Sequence, residues 1–240
     1  MSKNDFKKIS WKIRGILDFV SFLYTYCPAI FSFMLTLYIC EHSIGKINIY
    51  ILIFLFPVIL CFVFFIITYL FYKSLPKLKT GQFELKMSIE VVAWYLHIAL
   101  NRSSKVLGLR YLINSFFILR YLHLRSLGAK VKFDLGTSLD FVIADLPLIT
   151  IGSNCTIGQN TYISCHLISD NKLFLSPVKI GNNVKLAMNC VVGPGSRIGD
   201  NCNIEFGNNI YGVRINEGTR LRPLEWVAGP PSTKANRDKE

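Results

Sequence analysis

Acidic residues, histidines and metal-type cysteine pairs are scarce in this chain. It has 15 Asp and Glu against 27 Lys and Arg, and only four His. The seven Cys form an odd set without the paired spacing of a zinc site, so neither a structural zinc nor a disulfide framework is indicated. A Walker phosphate loop and a dinucleotide fingerprint are both absent, which argues against P-loop nucleotide hydrolases and Rossmann dehydrogenases.

Positive charge and apolar residues are present in excess. The formal net charge is +12, and hydrophobic residues make up 51% of the chain against 18% charged residues. Basic charge can indicate nucleic acid or an anionic membrane surface as the partner. Because many of the basic residues flank apolar segments, we expect membrane lipid and no nucleic acid.

Two long apolar runs lie near the N-terminus, at residues 16–39 and 47–71. Each is long enough to span a bilayer, which takes about 20 apolar residues. A cleaved signal peptide would have a shorter apolar region. Basic residues flank the outer ends of the pair, at Lys3, Lys7, Lys8, Lys12, Arg14, Lys73, Lys77 and Lys79. The positive-inside rule therefore predicts a two-helix transmembrane hairpin in residues 1–74 of a multi-pass protein, in a bacterial-type inner membrane, with both termini in the cytoplasm.

Residues 75–126 have a different pattern. Apolar positions recur every three or four residues, and no acid occurs between Glu90 and Asp134. Neither half is uninterrupted enough to span. Two amphipathic helices in the cytoplasmic interface fit this pattern, and a helical subdomain packed on the next domain is the alternative.

Residues 127–240 contain a six-residue repeat. An aliphatic residue recurs at Ile151, Ile157, Ile163, Ile180, Leu186, Val192, Ile198, Ile204 and Ile210. A repeat this short cannot bury its own apolar face, so successive coils must stack into a parallel β-helix. Between the aliphatics, Gly152, Asn154, Gly181 and Asn183 are typical of corners that need a positive φ.

The sixfold period is interrupted twice. Leu127, Phe133 and Leu139 hold the phase of an imperfect first coil, and Asp145 breaks it. The spacing from Ile163 to Ile180 is 17 residues, which predicts that residues 169–179 are looped out. A loop that leaves a rigid scaffold is where function is usually carried.

The run from Ile180-Gly-Asn-Asn-Val to Ile198-Gly-Asp-Asn-Cys resembles the hexapeptide-repeat acyltransferases. Val227-Ala-Gly-Pro-Pro-Ser is similar to the motif that closes their β-helices. The resemblance implies a left-handed β-helix and a homotrimer with each active site between adjacent copies. Features from Leu75-Pro to Asp145-Leu-Pro-Leu-Ile resemble a membrane-bound branch of these acyltransferases. That branch is represented by one unit of the C-terminal region of poly-lysine synthetase type non-ribosomal peptide synthetases.

The resemblance also implies the chemistry. An acetyl, aminoacyl or peptidyl group would move from acetyl-CoA, another acyl-CoA or carrier-bound phosphopantetheine to a hydroxyl or amine. The acceptor would be a small molecule or lipid-linked, and a carrier protein is a possible partner. His166, beside the looped-out segment, is the candidate general base, and Asp170 is a weak candidate to orient it. The candidate donor-binding residues are Gly193, Gly195, Trp226, Gly229 and Pro231.

A β-helix is also compatible with two other functions. A β-helix carbonic anhydrase needs several His ligands for zinc, and His166 is the only His in the repeats, so no metal is expected. A catalytically silent membrane-anchored scaffold stays open, because the repeats would stack without His166.

Overall fold

The computed structural model of the chain describes residues 11–229, without the side chains of residues 11–14 and 107. The α-helices are α1 (Trp11–Ser43), α2 (Ile49–Ser74), α3 (Ile89–Arg102), α4 (Leu109–Ser115) and α5 (Phe117–Ser126). Two 3₁₀ segments occur, at Ser103–Gly108 and Leu146–Leu148. The strands are β1 (Gly81–Glu84), β2 (Gly136–Thr137), β3 (Val142–Ile143), β4 (Ile149–Ile151), β5 (Thr156–Ile157), β6 (Tyr162–Ile163), β7 (His166–Ser169), β8 (Lys172–Leu175), β9 (Val178–Ile180), β10 (Lys185–Leu186), β11 (Val191–Val192), β12 (Arg197–Ile198), β13 (Asn203–Ile204), β14 (Asn209–Tyr211), β15 (Arg214–Ile215), β16 (Arg220–Leu221) and β17 (Trp226–Ala228).

Helices α1 and α2 form an antiparallel pair. Tyr24 packs edge-on against Phe71, and Phe33 packs edge-on against Phe56, so the two helices run in opposite directions. Both helices are long and apolar enough to cross a membrane, by length and composition. Large apolar side chains face outward along both of them, which is the surface that lipid would cover.

The segment from α3 to α5 joins this pair to the β-helix. Its apolar residues, among them Leu109 and Ile113, pack against Ala29 and Leu60 of the helical pair. Its polar residues bond to carbonyl oxygens of the first coil. Asn101 donates to Ile143, Arg110 to Phe141, Asn114 to Leu139, and Arg120 to Leu135. The helices therefore pack on the β-helix, and their position in a membrane interface stays a prediction.

The repeats form a β-solenoid of about five turns with three faces, and each face is a sheet of parallel strands. Two faces have five strands each, in the orders β2-β5-β10-β13-β16 and β3-β6-β11-β14-β17. The third has the order β4-β9-β12-β15. The expected parallel stacking is confirmed, and the left hand stays a prediction from the resemblance.

The solenoid core is built from the repeating aliphatics. Leu186 stacks between Ile157 and Ile204, and Val192 stacks between Ile163 and Ile210. All six are buried in one cluster. Fully burying one such side chain contributes about 1.5–3 kcal/mol, so the stack is the main stabilising element of this domain.

At the corners of the solenoid, the predicted positive φ is confirmed for the Asn residues and is wrong for the Gly residues. Asn154 and Asn183 do have positive φ, and the Nδ2 of Asn154 donates to the Oδ1 of Asn183 in the next coil at 2.9 Å. Gly152 and Gly181 do not have positive φ. Gly152 is needed because a Cβ there would lie 2.5 Å from the carbonyl oxygen of Gly181 in the next coil.

The predicted phase of the first coil is wrong. Phe133 and Leu139 are 51% and 48% exposed, whereas Thr137 and Ile143 pair with the core positions of the second coil. The spacing from Ile143 to Ile151, the next core position of the repeat, is then eight instead of six. Ile151 pairs with Ile180 of the third coil. The 3₁₀ segment Leu146–Leu148 takes up the extra length, and Asp145 enters it with a φ of 55°.

The looped-out segment is a β-hairpin, and it leaves the solenoid slightly earlier than expected. Strands β7 and β8 pair antiparallel, and β1 adds to β8 as the third strand. Asp170 and Asn171 form the turn, with φ of 49° and 58°. Two consecutive residues with positive φ are the signature of the two-residue hairpin turn that Asx residues favour.

Candidate active site

His166 lies where the chain leaves the solenoid as the first residue of β7. Its Nδ1 is 2.6 Å from Oδ2 of Asp145. The Asp145 side chain is fully buried, and the His166 side chain is 19% exposed. The pair joins residues of two neighbouring coils, and it exists because the irregular passage at Asp145 lies beside the exit of the hairpin.

Asp145 is held by groups that donate to both of its oxygens. The indole Nε1 of Trp94 donates to Oδ1 at 3.1 Å, and the backbone N–H of Cys165 donates to Oδ2 at 3.0 Å. Trp94 also packs edge-on against the His166 ring, with centroids 5.0 Å apart. A buried carboxylate needs such donors, because an unpaired buried charge costs several kcal/mol.

The bond to Asp145 decides which nitrogen of His166 can act as a base. A carboxylate only accepts hydrogen bonds, so we assign the ring proton to Nδ1. Nε2 then carries the free lone pair, and it has no hydrogen-bond partner among the described residues. A neutral His oriented in this way is suited to take a proton from a bound hydroxyl or amine.

The hypothesis that Asp170 orients His166 is wrong. Asp170 lies at the far tip of the hairpin and accepts a bond from the Ser169 hydroxyl at 3.2 Å. The residue that sequence reasoning missed is Asp145. Its signal was available, because Asp145 was the position at which the sixfold period failed. Trp94 carried no comparable signal.

The other described His residues have structural surroundings. His97 bonds through Nε2 to the Pro76 carbonyl at 2.9 Å, and burial lowers its pKa, although that carbonyl and Asp145 act to raise it. His123 is enclosed beside Phe64 and Phe65, where burial, and secondarily Arg110, lowers its pKa to about 3. His42 bonds to the Tyr38 carbonyl in α1. Only His166 among these lines a cleft next to an orienting carboxylate.

That cleft has a volume of about 290 Å³. His166 and Trp94 line one part of it, and Tyr162, Arg102 and Lys105 line the remainder with others. A neighbouring cleft of about 370 Å³ shares Lys105, Arg110 and Val142 with it. The two therefore form one groove between the first coils and the segment that follows α3.

Most of the candidate donor-binding residues gather at a second cleft, of about 350 Å³. Trp226 and Gly229 line it together with Pro194, and Trp226 stacks on Tyr211 with centroids 5.9 Å apart. Trp226 is 71% exposed, so its outer face is open to a ligand.

Gly193 and Gly195 flank Pro194 at this second cleft. A Cβ at Gly193 would overlap the Tyr211 ring, and Gly195 has a φ of 79°. The fifth candidate, Pro231, lies outside the described residues.

The two clefts lie on opposite faces of the hairpin. Leu167 and Phe174 are cross-strand partners and line the second cleft. His166 precedes Leu167, and successive side chains of a strand point to opposite faces. Within one chain the hairpin therefore stands between His166 and the candidate donor cleft.

Comparison with known families matches residues 177–212 to the bacterial transferase hexapeptide family (six repeats). The match covers strands β9 to β14 of the solenoid. The matched stretch includes Gly193 and Gly195 and stops short of Trp226. A comparison with curated proteins found no significant match.

Among solved structures, the chain is similar to a hexapeptide-repeat-containing acetyltransferase from Vibrio cholerae, with 18% identity over 48% of this chain and 86% of that one, at a TM-score of 0.36. It is also similar to a maltose O-acetyltransferase from Clostridium difficile, with 22% identity over 50% of this chain and 77% of that one, at a TM-score of 0.31. A serine acetyltransferase isoform from Entamoeba histolytica, solved with cysteine, shares 15% identity over 62% of this chain and 51% of that one, at a TM-score of 0.20. Likeness of this degree assigns no substrate to this chain.

Proposed function

We propose that the protein is a membrane-bound acyltransferase with His166 as its general base. The observation that carries the proposal is the bond between His166 and the buried Asp145 at the edge of an open groove. A His that is held through Nδ1 by a buried carboxylate, with Nε2 unbonded among the described residues and the ring at a cleft, has the arrangement of an oriented general base. The transferase repeat in residues 177–212 supports the same class of reaction.

The proposed reaction has one nucleophilic step. Nε2 of His166 takes the proton of the acceptor hydroxyl or amine, and the acceptor oxygen or nitrogen attacks the thioester carbonyl. The C–S bond breaks, an ester or amide forms, and the proton returns through His166 to the leaving thiolate. Asp145 holds the imidazole in position and stabilises its protonated form through Nδ1.

We place the acyl donor at the cleft of Trp226. A CoA or a carrier-bound phosphopantetheine presents a thin arm ending in a thioester, and the stacked pair of Tyr211 and Trp226 offers a flat apolar surface beside Gly229. The apolar character of this cleft suits the arm of either donor. Which of the two is used decides whether a carrier protein is a partner.

The donor assignment predicts that Trp226→Ala raises the KM for acetyl-CoA by about twofold to tenfold and changes kcat little, because aromatic contacts contribute about 0.5–1.5 kcal/mol. We would supply labelled acetyl-CoA and a total lipid and metabolite extract as acceptor source, and follow label in acylated products. Phe206→Ala is the matched control, because Phe206 is an exposed aromatic that does not line the cleft. An unchanged KM in Trp226→Ala would contradict the donor site, and no label transfer by the native protein would favour the silent scaffold.

We also propose a homotrimer. The hairpin separates His166 from the donor cleft of its own chain, so a complete site needs the donor cleft of a neighbouring copy. A closed ring of three chains supplies this with one repeated interface. The expected result is a mass of three chains for the detergent-solubilised protein, measured by light scattering with the detergent subtracted. A fully active monomer would contradict the shared site.

The membrane location is part of the same proposal. Helices α1 and α2 are apolar over spanning length, and α4 and α5 pack directly against them. With both termini in the cytoplasm, the groove of His166 would open at the cytoplasmic surface, where a lipid-linked acceptor or a small molecule can enter.

A further inference from the structure

Three cationic side chains share the groove with His166. Arg102 and Lys105 line the same cleft as the imidazole, and Arg110 lines both that cleft and its neighbour. Among the described residues none of the three is in a salt bridge. Burial lowers the pKa of Arg110, whereas Tyr111 and then Asp140, the one acid among the described residues that line the neighbouring cleft, act to raise it.

The positive charge of this cluster is concentrated and incompletely neutralised. The pKa of Lys105 is lowered by burial first, and then by the charges of Arg110 and Arg102. Such mutual repulsion is a cost to the folded protein. An anion bound among the three side chains would remove that cost, and planar guanidinium groups match oxyanions well.

The cluster also lies beside the helical pair. Lys105 belongs to the 3₁₀ segment Ser103–Gly108, and its neighbour Val106 packs against the buried cluster that contains Ala29 and Leu60. The cations are therefore held next to the segments that we propose to cross the membrane. A molecule anchored in the bilayer could reach them with its polar head.

We propose that Arg102, Lys105 and Arg110 bind a phosphoryl group of the acceptor and thereby place its hydroxyl or amine at His166. The role of the bound molecule as acyl acceptor rests on the proposed function, whereas the anion site itself does not. Three cations around one groove favour a phosphate monoester, with a charge of about −1.5 to −2 near neutral pH, over a single carboxylate. The phosphate could belong to a lipid or to a soluble molecule.

The test measures binding without turnover. The full chain in dodecyl maltoside, a detergent without phosphate, is titrated with short-chain dihexanoyl phosphatidic acid, with dihexanoylglycerol and with inorganic phosphate, by calorimetry. We expect the phosphatidic acid to bind and the uncharged glyceride to bind much more weakly. Inorganic phosphate that binds as tightly as phosphatidic acid would identify a soluble source of the phosphoryl group, and a clear preference for phosphatidic acid would identify a lipid source.

Two variants and one control locate the site. Arg102→Gln and Lys105→Gln should each weaken phosphatidic acid binding by about tenfold, the loss of one charge-assisted contact. Both side chains are exposed and make no bond to the described part of the fold, so these variants should fold normally. Lys185→Gln removes an equally exposed charge from β10, away from the groove, and should bind like the native chain. Arg110 is left intact because it bonds to the Phe141 carbonyl.

The outcomes separate the two proposals. Binding that is absent, equal for the glyceride, or unchanged in both variants overturns the anion site and leaves the role of His166 untouched. Acyl transfer that survives loss of His166 overturns the proposed function, while the binding data would still establish the anion site.

Discussion

Replacement of His166 by alanine should lower the rate of acyl transfer by about 10²- to 10⁴-fold, the usual contribution of a positioned general base. The protein should still fold and assemble, because the buried Asp145 keeps its donors from Trp94 and Cys165 and the aliphatic stack of the solenoid is unchanged. The KM for acetyl-CoA should change little, since the candidate donor cleft lies on the other face of the hairpin. The measurement is turnover in the labelled transfer assay, together with mass by light scattering.

The matched control for this variant is His42→Ala. His42 is an exposed His that bonds only within α1, so its loss should leave the rate unchanged. Near-native transfer by His166→Ala would remove this residue from the mechanism. Thioester hydrolysis without transfer to acceptor would instead assign His166 to placing the acceptor.

Asp145→Asn should lower kcat by about 10²-fold or more, with a smaller effect on the KM for acetyl-CoA. The carboxylate accepts bonds on both oxygens, from Trp94 on one and from His166 and Cys165 on the other. An amide has one acceptor oxygen and one NH₂ group. If the NH₂ faces His166, the imidazole must move its proton to Nε2 and loses its basic nitrogen there. If the NH₂ faces Trp94, two donors oppose each other in a buried site.

The control for this prediction is Asp170→Asn. Both aspartates have positive φ, a conformation that Asn also tolerates, so the backbone cost is the same in the two variants. Only Asp145 touches His166. Equal activity of the two variants would mean that the carboxylate of Asp145 does not position the base. A kcat that falls only in Asp145→Asn, with the folded fraction unchanged, would separate positioning from stability.

The solenoid could be predicted from the sequence because its energetics are local and periodic. Each core aliphatic, such as Ile157, packs on the equivalent residue of the next coil, such as Leu186. The six-residue spacing alone therefore predicts the stack. The hairpin could be predicted as an excess of residues in one coil, and the Asp170-Asn171 pair is a recognisable turn signal. The spacing correctly predicted that residues leave the coil, but not that they pair with a strand from outside it.

The orienting contact could not be predicted in the same way. Asp145 meets His166 only because two extra residues precede Ile151 and shift the first coil out of phase. Counting in steps of six does not follow such a shift of phase, and it therefore wrongly assigned Phe133 and Leu139 to the core. The contact from Trp94 depends on how a helix docks on the solenoid, which no spacing within the repeats encodes. The cationic groove has the same origin, since its residues come from two helices, a 3₁₀ segment and two coils.

The hydrogen bonds from the helical segment to the first coil also bear on solubility. A solenoid of parallel strands ends in a row of unpaired backbone groups, which can recruit another chain and grow into fibres. Here Asn101, Arg110, Asn114 and Arg120 occupy four carbonyl oxygens of that first edge. The same helices that bring Trp94 to the site thus protect the solenoid from end-to-end polymerisation at this end. A change that loosens their docking would expose an aggregation surface as well as disturb the pair of Asp145 and His166.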